Sequence, residues 1–591
     1  MSIVMNRESV AKERIWATED ILDESSLPQI FEDIKAGCEE IKKFKNNLNV
    51  YNAIDCLLTR SKIFYKIEKA YSYIALKSDE DKSNAKYNEL QDKIEVLVVD
   101  FSTASSFIEP TLATFKNSDL IKMRDSEKYD YFSMYIDSII RNKKHLLSEK
   151  EEALLSGVAG FSGDFHSIFT MFDNVDINMG EIELDGQKHK MSHGLFSLCL
   201  QNKDVNVRRE AYEKVYTGYK SMINTVAATY VGNVKKDYFY AKARKFGSCM
   251  EQALYGENIP KKVYDNLIEA VKKYTPKMHE YVAYRKKALK LPELHMYDMY
   301  VSTVEDIEWD KADYDDAYAL VCEALAPLGK EYVDLMWQAK NSRWIDVEET
   351  PNKRSGAYSA GVYGTHPFVL LNHKGTTHDT FTIAHEMGHA LHSYYANEAQ
   401  CYEKADYCIF VAEIASTVNE VLLIKHLLKT AEGDMRKYLL SYYIDMIRTT
   451  LFRQTMFAEF EKFAHEVIEN GEPLSYEKMN KYYGQLNAEY YGDSVVTDDF
   501  ITYEWARIPH FYRSFYVYKY ATGITCAINI VNNILKDPSY VDKYKKFLQC
   551  GGSQYPMDNL AIVGIDLTKK TPFYTAMREF ADVLKELKKI K

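Results

Sequence analysis

Residues 383–392 read IAHEMGHALH, two histidines four positions apart with a glutamate beside the first. On a helix, His385 and His389 lie roughly 40° apart and one turn up, so both imidazoles can converge on one ion. Glu386 stands about 60° from His389 by the same geometry. A zinc ion held in this way lowers the pKa of its bound water toward about 7, and a neighbouring carboxylate can take the proton. The chemistry these residue types offer is hydrolysis by metal-activated water.

Such a site needs a third protein ligand and one open position. The metzincin continuation would put Gly and His where His392 and Tyr395 stand, and the gluzincin aminopeptidase spacing would put a Glu where Cys408 stands. The next candidate is Glu413 in CIFVAEIASTVNEVLLIKHLL. In a helix, Glu413, Ser416, Thr417 and Glu420 form one polar stripe, and Ile414, Val418, Val421 and Leu422 form an apolar face. The stripe reads equally well as a face turned to water; the need of a two-histidine site for a further ligand favours Glu413. Glu420 and Asp379 are candidate acceptors behind the imidazoles, with a helix-capping role equally open for Asp379. His392 reads as structural.

The motif helix has an apolar back in Ala384, Met387, Leu391 and Tyr394. Gly388 costs it about 1 kcal/mol relative to Ala, which makes sense if another backbone passes close by. Upstream, SGAYSAGVYGTHPFVLLNHKG (355–375) is rich in Tyr, Val, Ser and Gly, and reads as short strands and loops of a small sheet beside that helix. LHMYDMYVST (294–303) reads the same way. GAYSAGVYG can offer free backbone groups to an extended peptide, as an edge strand does.

From Ile21 to about Phe115, apolar residues recur at steps of three and four, the pattern of packed amphipathic helices. Alternation around Asp185-Gly186 within 176–191 predicts a hairpin with a primed turn. That hairpin ends an expected N-terminal helical domain, 1–195, leaving 196–591 as the catalytic domain. Gly at 25 and Pro at 13 in 591 residues fall below their usual shares of about 7% and 5%, which predicts a mainly α fold.

The formal charge of −11 argues against a nucleic-acid partner, since phosphate binding needs clustered Lys and Arg. The first residues lack the apolar core of a secretory signal, and no run approaches the roughly 18 apolar residues of a membrane helix. Nine scattered cysteines do not read as a disulfide framework. The expected location is the cytoplasm, with no membrane partner.

Several segments together carry a resemblance: HEMGHALH at 385–392, FVAEIASTVNE at 410–420, IPHFYRSFYVYKYATG at 508–523, and the upstream ENIPKKVYDNLIEAV and LHMYDMYV. Over nearly its whole length the chain resembles the oligoendopeptidase F family, in the thimet-oligopeptidase-like group of HExxH zinc metallopeptidases. The resemblance implies a mainly α, two-lobed body with a deep substrate channel and a small sheet near the active site. It implies one Zn²⁺ per chain on His385, His389 and Glu413, and an endopeptidase that cuts internal bonds of short, unfolded oligopeptides with Glu386 as general base. His510, Tyr516 and Tyr520 then face the substrate. From the residues alone, Tyr512, Tyr516 and Tyr520 recur at four-residue steps and would share a helix face. Thimet-type enzymes carry a further Tyr where this chain has Gly523, so no role for that phenol carries over.

Two competing functions stand beside this one. A zinc exopeptidase of the carboxypeptidase kind would need a basic residue to capture a substrate terminus, and none is singled out. A catalytically inactive, helical peptide-binding protein would have no reason to keep His385, Glu386, His389 and Glu413 all intact.

Overall fold

Helices dominate because apolar residues return on one side of long stretches with few Gly or Pro to interrupt them. The structure, a computed structural model, describes residues 5–304 and 313–590. In chain order its main elements are α1 (Leu27–Lys42), α2 (Ala53–Glu80), α3 (Ala85–Ser105), the hairpin β1 (Glu181–Leu184) and β2 (Gln187–Lys190), and α4 (Ile223–Ala243). After these come β3 (Ile345–Glu348), β4 (Tyr358–Ala360), β5 (Phe368–His373), α5 (Thr377–Ala399), α6 (Ile409–Thr430), α7 (Arg453–Glu469) and α8 (Tyr518–Lys536). Shorter helices lie between them. Among the described residues no helix is long and apolar enough to cross a membrane.

The chain forms two compact units, each from three stretches. The first joins Met1–Lys144, Glu308–His426 and Ile530–Ile565; the second joins His145–Ile307, Leu427–Asn529 and Asp566–Lys591. In the first unit, Ile34, Cys38 and Ile41 of α1 meet Ile63, Ile67, Ala70 and Ile74 of α2 and Ile94, Leu97 and Phe101 of α3 in one core. Phe368 and Leu370 of β5 enter the same core, which ties the sheet to the helices.

That sheet has the order β3-β5-β4. β3 runs parallel to β5, with Ile345 opposite Val369, and β4 runs antiparallel, with Tyr358 opposite Leu370 and Ala360 opposite Phe368. β4 is therefore an edge strand. β4 and β5 fall within the strand-like segment 355–375, whereas β3 lies outside it and pairs with β5 beyond an intervening strand.

The hairpin lies within the second unit, and its turn is of the primed type. Asp185 and Gly186 both take positive φ, 51° and 76°, the combination that matches strand twist. Residues 294–303 depart from the strand-like expectation. Met296–Met299 form a 3₁₀ turn, and only His295 bridges to another segment, at Val496. The turn is set by fully buried Asp298, which accepts from the His295 N–H at 2.9 Å and pairs with Arg208 at 2.6 Å.

Candidate active site

α5 starts where Thr376 and Asp379 close a capping box. Thr376 Oγ1 accepts the Asp379 N–H, and Asp379 accepts the Thr376 N–H at 2.8 Å. Asp379 thus satisfies the helix N-terminus. Ala384, Met387 and Leu391 are buried on the apolar back, and Tyr394 stacks on Trp344.

α6 crosses α5 at Gly388. A Cβ there would stand 2.5 Å from Ser416 Cα, so the close backbone expected from the sequence is α6. Asn419 fastens the crossing by donating to the Ala384 carbonyl at 3.0 Å and accepting from Tyr332 at 3.1 Å. Ser416 and Thr417 are buried, so the stripe they share with Glu413 faces protein rather than water.

The crossing delivers Glu413 to the histidines. His385 Nε2 and His389 Nε2 are 3.2 Å apart, and Glu413 Oε2 lies 3.6 Å from the first and 3.8 Å from the second. Behind His385, Glu420 Oε2 stands 3.3 Å from Nδ1, which leaves Nε2 turned to the cluster. Although burial opposes it, Glu420, Glu386 and Glu413 raise the His385 pKa to about 9. Burial and the neighbouring His385 lower His389 to about 3. Burial raises Glu386 to about 7, against the pull of His385. Glu386 and His385 border a cavity of about 630 Å³ that also takes in Ala357, Asn372, His378 and Thr382. His392 is buried flat against Tyr407, ring centroids 3.7 Å apart, and burial lowers its pKa to about 3, so it stays neutral.

A second cluster belongs to the second unit. His510 lies in the 3₁₀ turn Pro509–Tyr512, and its Nε2 is 3.4 Å from the Tyr520 hydroxyl. The Tyr516 and Tyr520 ring centroids are 5.4 Å apart. Burial, with Arg513 and Arg453, lowers the His510 pKa. The expectation that Tyr512, Tyr516 and Tyr520 share one helix face does not hold. α8 begins only at Tyr518, because Phe515 takes the left-handed conformation at φ 57° and breaks the turn. Tyr512 instead stacks on Phe169, and its hydroxyl is buried without a hydrogen-bond partner.

This segment is held by buried charges whose roles cannot be read from the sequence. The Phe515 N–H donates to Glu461 of α7 at 2.7 Å, and Ser514 donates to Asp237 of α4, which also faces His465 at 3.3 Å. Glu504 takes Arg453 at 2.7 Å and Arg507 at 2.8 Å.

The profile of peptidase family M3 matches residues 198–579, and the N-terminal profile described as oligopeptidase F matches 112–178. The chain belongs to peptidase family M3. It is 38% identical to oligopeptidase PepF of Bacillus subtilis, over 99% of this chain and 88% of that protein. It is 37% identical to group B oligopeptidase PepB of Streptococcus agalactiae, over 98% and 95% of the two chains. The crystal structure of oligoendopeptidase-F from Enterococcus faecium superposes with a TM-score of 0.76 at 31% identity, covering 96% of this chain and 99% of that one.

As an M3 member the chain is a metallo-oligopeptidase that hydrolyses peptides. The family implies a metal, and the donor atoms fit one. Ligands about 2.1 Å from a tetrahedral ion stand roughly 3.4 Å from one another. Here the three separations run from 3.2 to 3.8 Å, in a His, His, Glu set whose ligand atoms all lie within 4.8 Å.

Proposed function

We propose that the enzyme is a zinc endopeptidase for short, unfolded oligopeptides, holding one Zn²⁺ on His385, His389 and Glu413. The observation that carries this reading is the convergence of those three side chains beside the buried Glu386. Bound zinc supplies a Lewis acid that polarises the scissile carbonyl and acidifies water.

Every other step falls to the chain's own residues. Glu386 takes the proton of the attacking water and passes it to the leaving amine, a task suited to a carboxyl that burial brings to about 7. Glu420 holds His385 in the tautomer that leaves Nε2 free to ligate. The outer edge of β4 offers backbone groups to an extended substrate. The family resemblance turns His510, Tyr516 and Tyr520 toward substrate, and His510 or one of these tyrosines is the donor for the developing oxyanion, a task worth roughly 3 kcal/mol per donor. The cytoplasm is the proposed location, in keeping with nine cysteines of which none is joined in a disulfide.

The test is mass-spectrometric cleavage mapping of peptides blocked at both ends, with one folded protein alongside, using wild type and Glu386→Gln. Wild type should cut the short peptides internally and spare the folded protein, while Glu386→Gln should be inert. Zinc-loaded wild type that cuts only free-ended peptides would be an exopeptidase, and the reading would fail.

A further inference from the structure

Two cavities open along the free edge of β4. The cavity described above takes in Gly356 and Ala357 before the strand, and a second, of about 670 Å³, takes in Ser359 and Gly361. The same order runs along α5. His378, Thr382 and His385 border the first cavity, Ser393 and Asn397 border the second, and His389 stands between. Ala412, next to Glu413, also borders the second. The His385, His389, Glu413 cluster therefore lies between the two cavities along α5, and a chain extended along β4 would place side chains in both.

We infer that the second cavity receives a lysine or arginine side chain of the substrate, and that Asp406 selects it. The inference rests on the endopeptidase reading above. Its ground is the charge left over once every pair around the cavity is assigned. Glu68 accepts the Tyr363 N–H at 3.0 Å. Glu403 faces Arg60 at 3.7 Å, and the Arg60 guanidinium is also held over Phe64 at 4.8 Å and Tyr135 at 5.0 Å. Lys404 pairs with Asp130 at 2.9 Å. Of the acidic residues bordering the cavity, Glu68 and Asp406 take part in no ion pair among the described residues; Glu68 is held by the Tyr363 N–H, and Asp406 is exposed to the cavity.

The walls suit the same guest. Tyr363, Tyr402 and Tyr407 give aromatic surface for an aliphatic stem and for a cation above a ring. Ser359 Oγ, on the strand side, is buried with no hydrogen-bond partner. The Asp406 carboxylate has no counter-ion in the cavity, so a neutral guest leaves it uncompensated and an acidic guest adds repulsion. A cationic guest relieves both.

The experiment uses blocked peptides with one fixed cleaved bond, carrying Lys, Arg, norleucine or Glu at each of three positions on either side. In wild type, one position should show kcat/KM for Lys and Arg about tenfold above norleucine, the scale of one charge-assisted bond. Asp406→Asn should bring that ratio to about one, and Asp406→Glu should keep it. A ratio near one at every position in wild type, or an unchanged ratio in Asp406→Asn, overturns the inference. If no blocked peptide is cut at all, the endopeptidase reading has failed, and the pocket fails with it.

Discussion

Gly388 and Ser416 touch backbone to backbone. A methyl group on Gly388 would stand 2.5 Å from Ser416 Cα and 2.7 Å from both Ser416 N and the Ala415 oxygen. On helix propensity alone, Gly388→Ala should stabilise by about 1 kcal/mol. Overpacking against backbone that cannot step aside costs about 1–3 kcal/mol or more, and this term should win. Denaturant unfolding should find Gly388→Ala less stable than wild type, with weaker metal binding because Glu413 rides on the displaced helix. A more stable variant would mean that the crossing is slack.

In the proposed centre Glu420 would act on the metal through His385 Nδ1, 3.3 Å away. Removing such an acceptor typically costs 10- to 100-fold in metal affinity or activity. Competition against a graded chelator should show a loss of about that size in Glu420→Ala with the fold intact. Equal zinc affinity in the two proteins would reduce Glu420 to packing.

Glu504 anchors the segment that carries His510. Burial raises its carboxyl, but Arg453 and Arg507 outweigh burial and hold it at about 2, against an ordinary 4.5. Because the folded value is depressed, its stabilisation is complete above pH 4.5 and drains away as pH falls toward 2. Glu504→Gln leaves two half-buried guanidinium groups short of charge and should destabilise by roughly 2–4 kcal/mol at neutral pH. Melting curves across this range should fall more gently with acid in the variant than in wild type. Parallel pH profiles would contradict the assignment.

The convergence of His385 and His389 was legible because two imidazoles on adjacent turns of one helix are a local pattern, and Gly388 was legible because a glycine in a helix interior needs a reason. The crossing of α5 and α6 was implied only by the demand for a third ligand. Asn419, which fastens that crossing, sits among apolar residues with nothing to mark it. A four-residue spacing misplaced Tyr512, because one left-handed residue, Phe515, undoes the register of a helix and carries no sequence signal of its own. The Asp298 turn, the Glu461 contact and the meeting of β3 with β5 depend on partners far away in the chain, as does the joining of three separate stretches into each unit.

The most direct test of the metal centre is elemental analysis after dialysis against a weak chelator, on wild type, Glu413→Gln and His389→Ala. Wild type should retain about one zinc per chain, and both variants should lose it while keeping their helical signal. If Glu413→Gln holds zinc as tightly as wild type, Glu413 is not a ligand, and the centre proposed for His385, His389 and Glu413 is wrong.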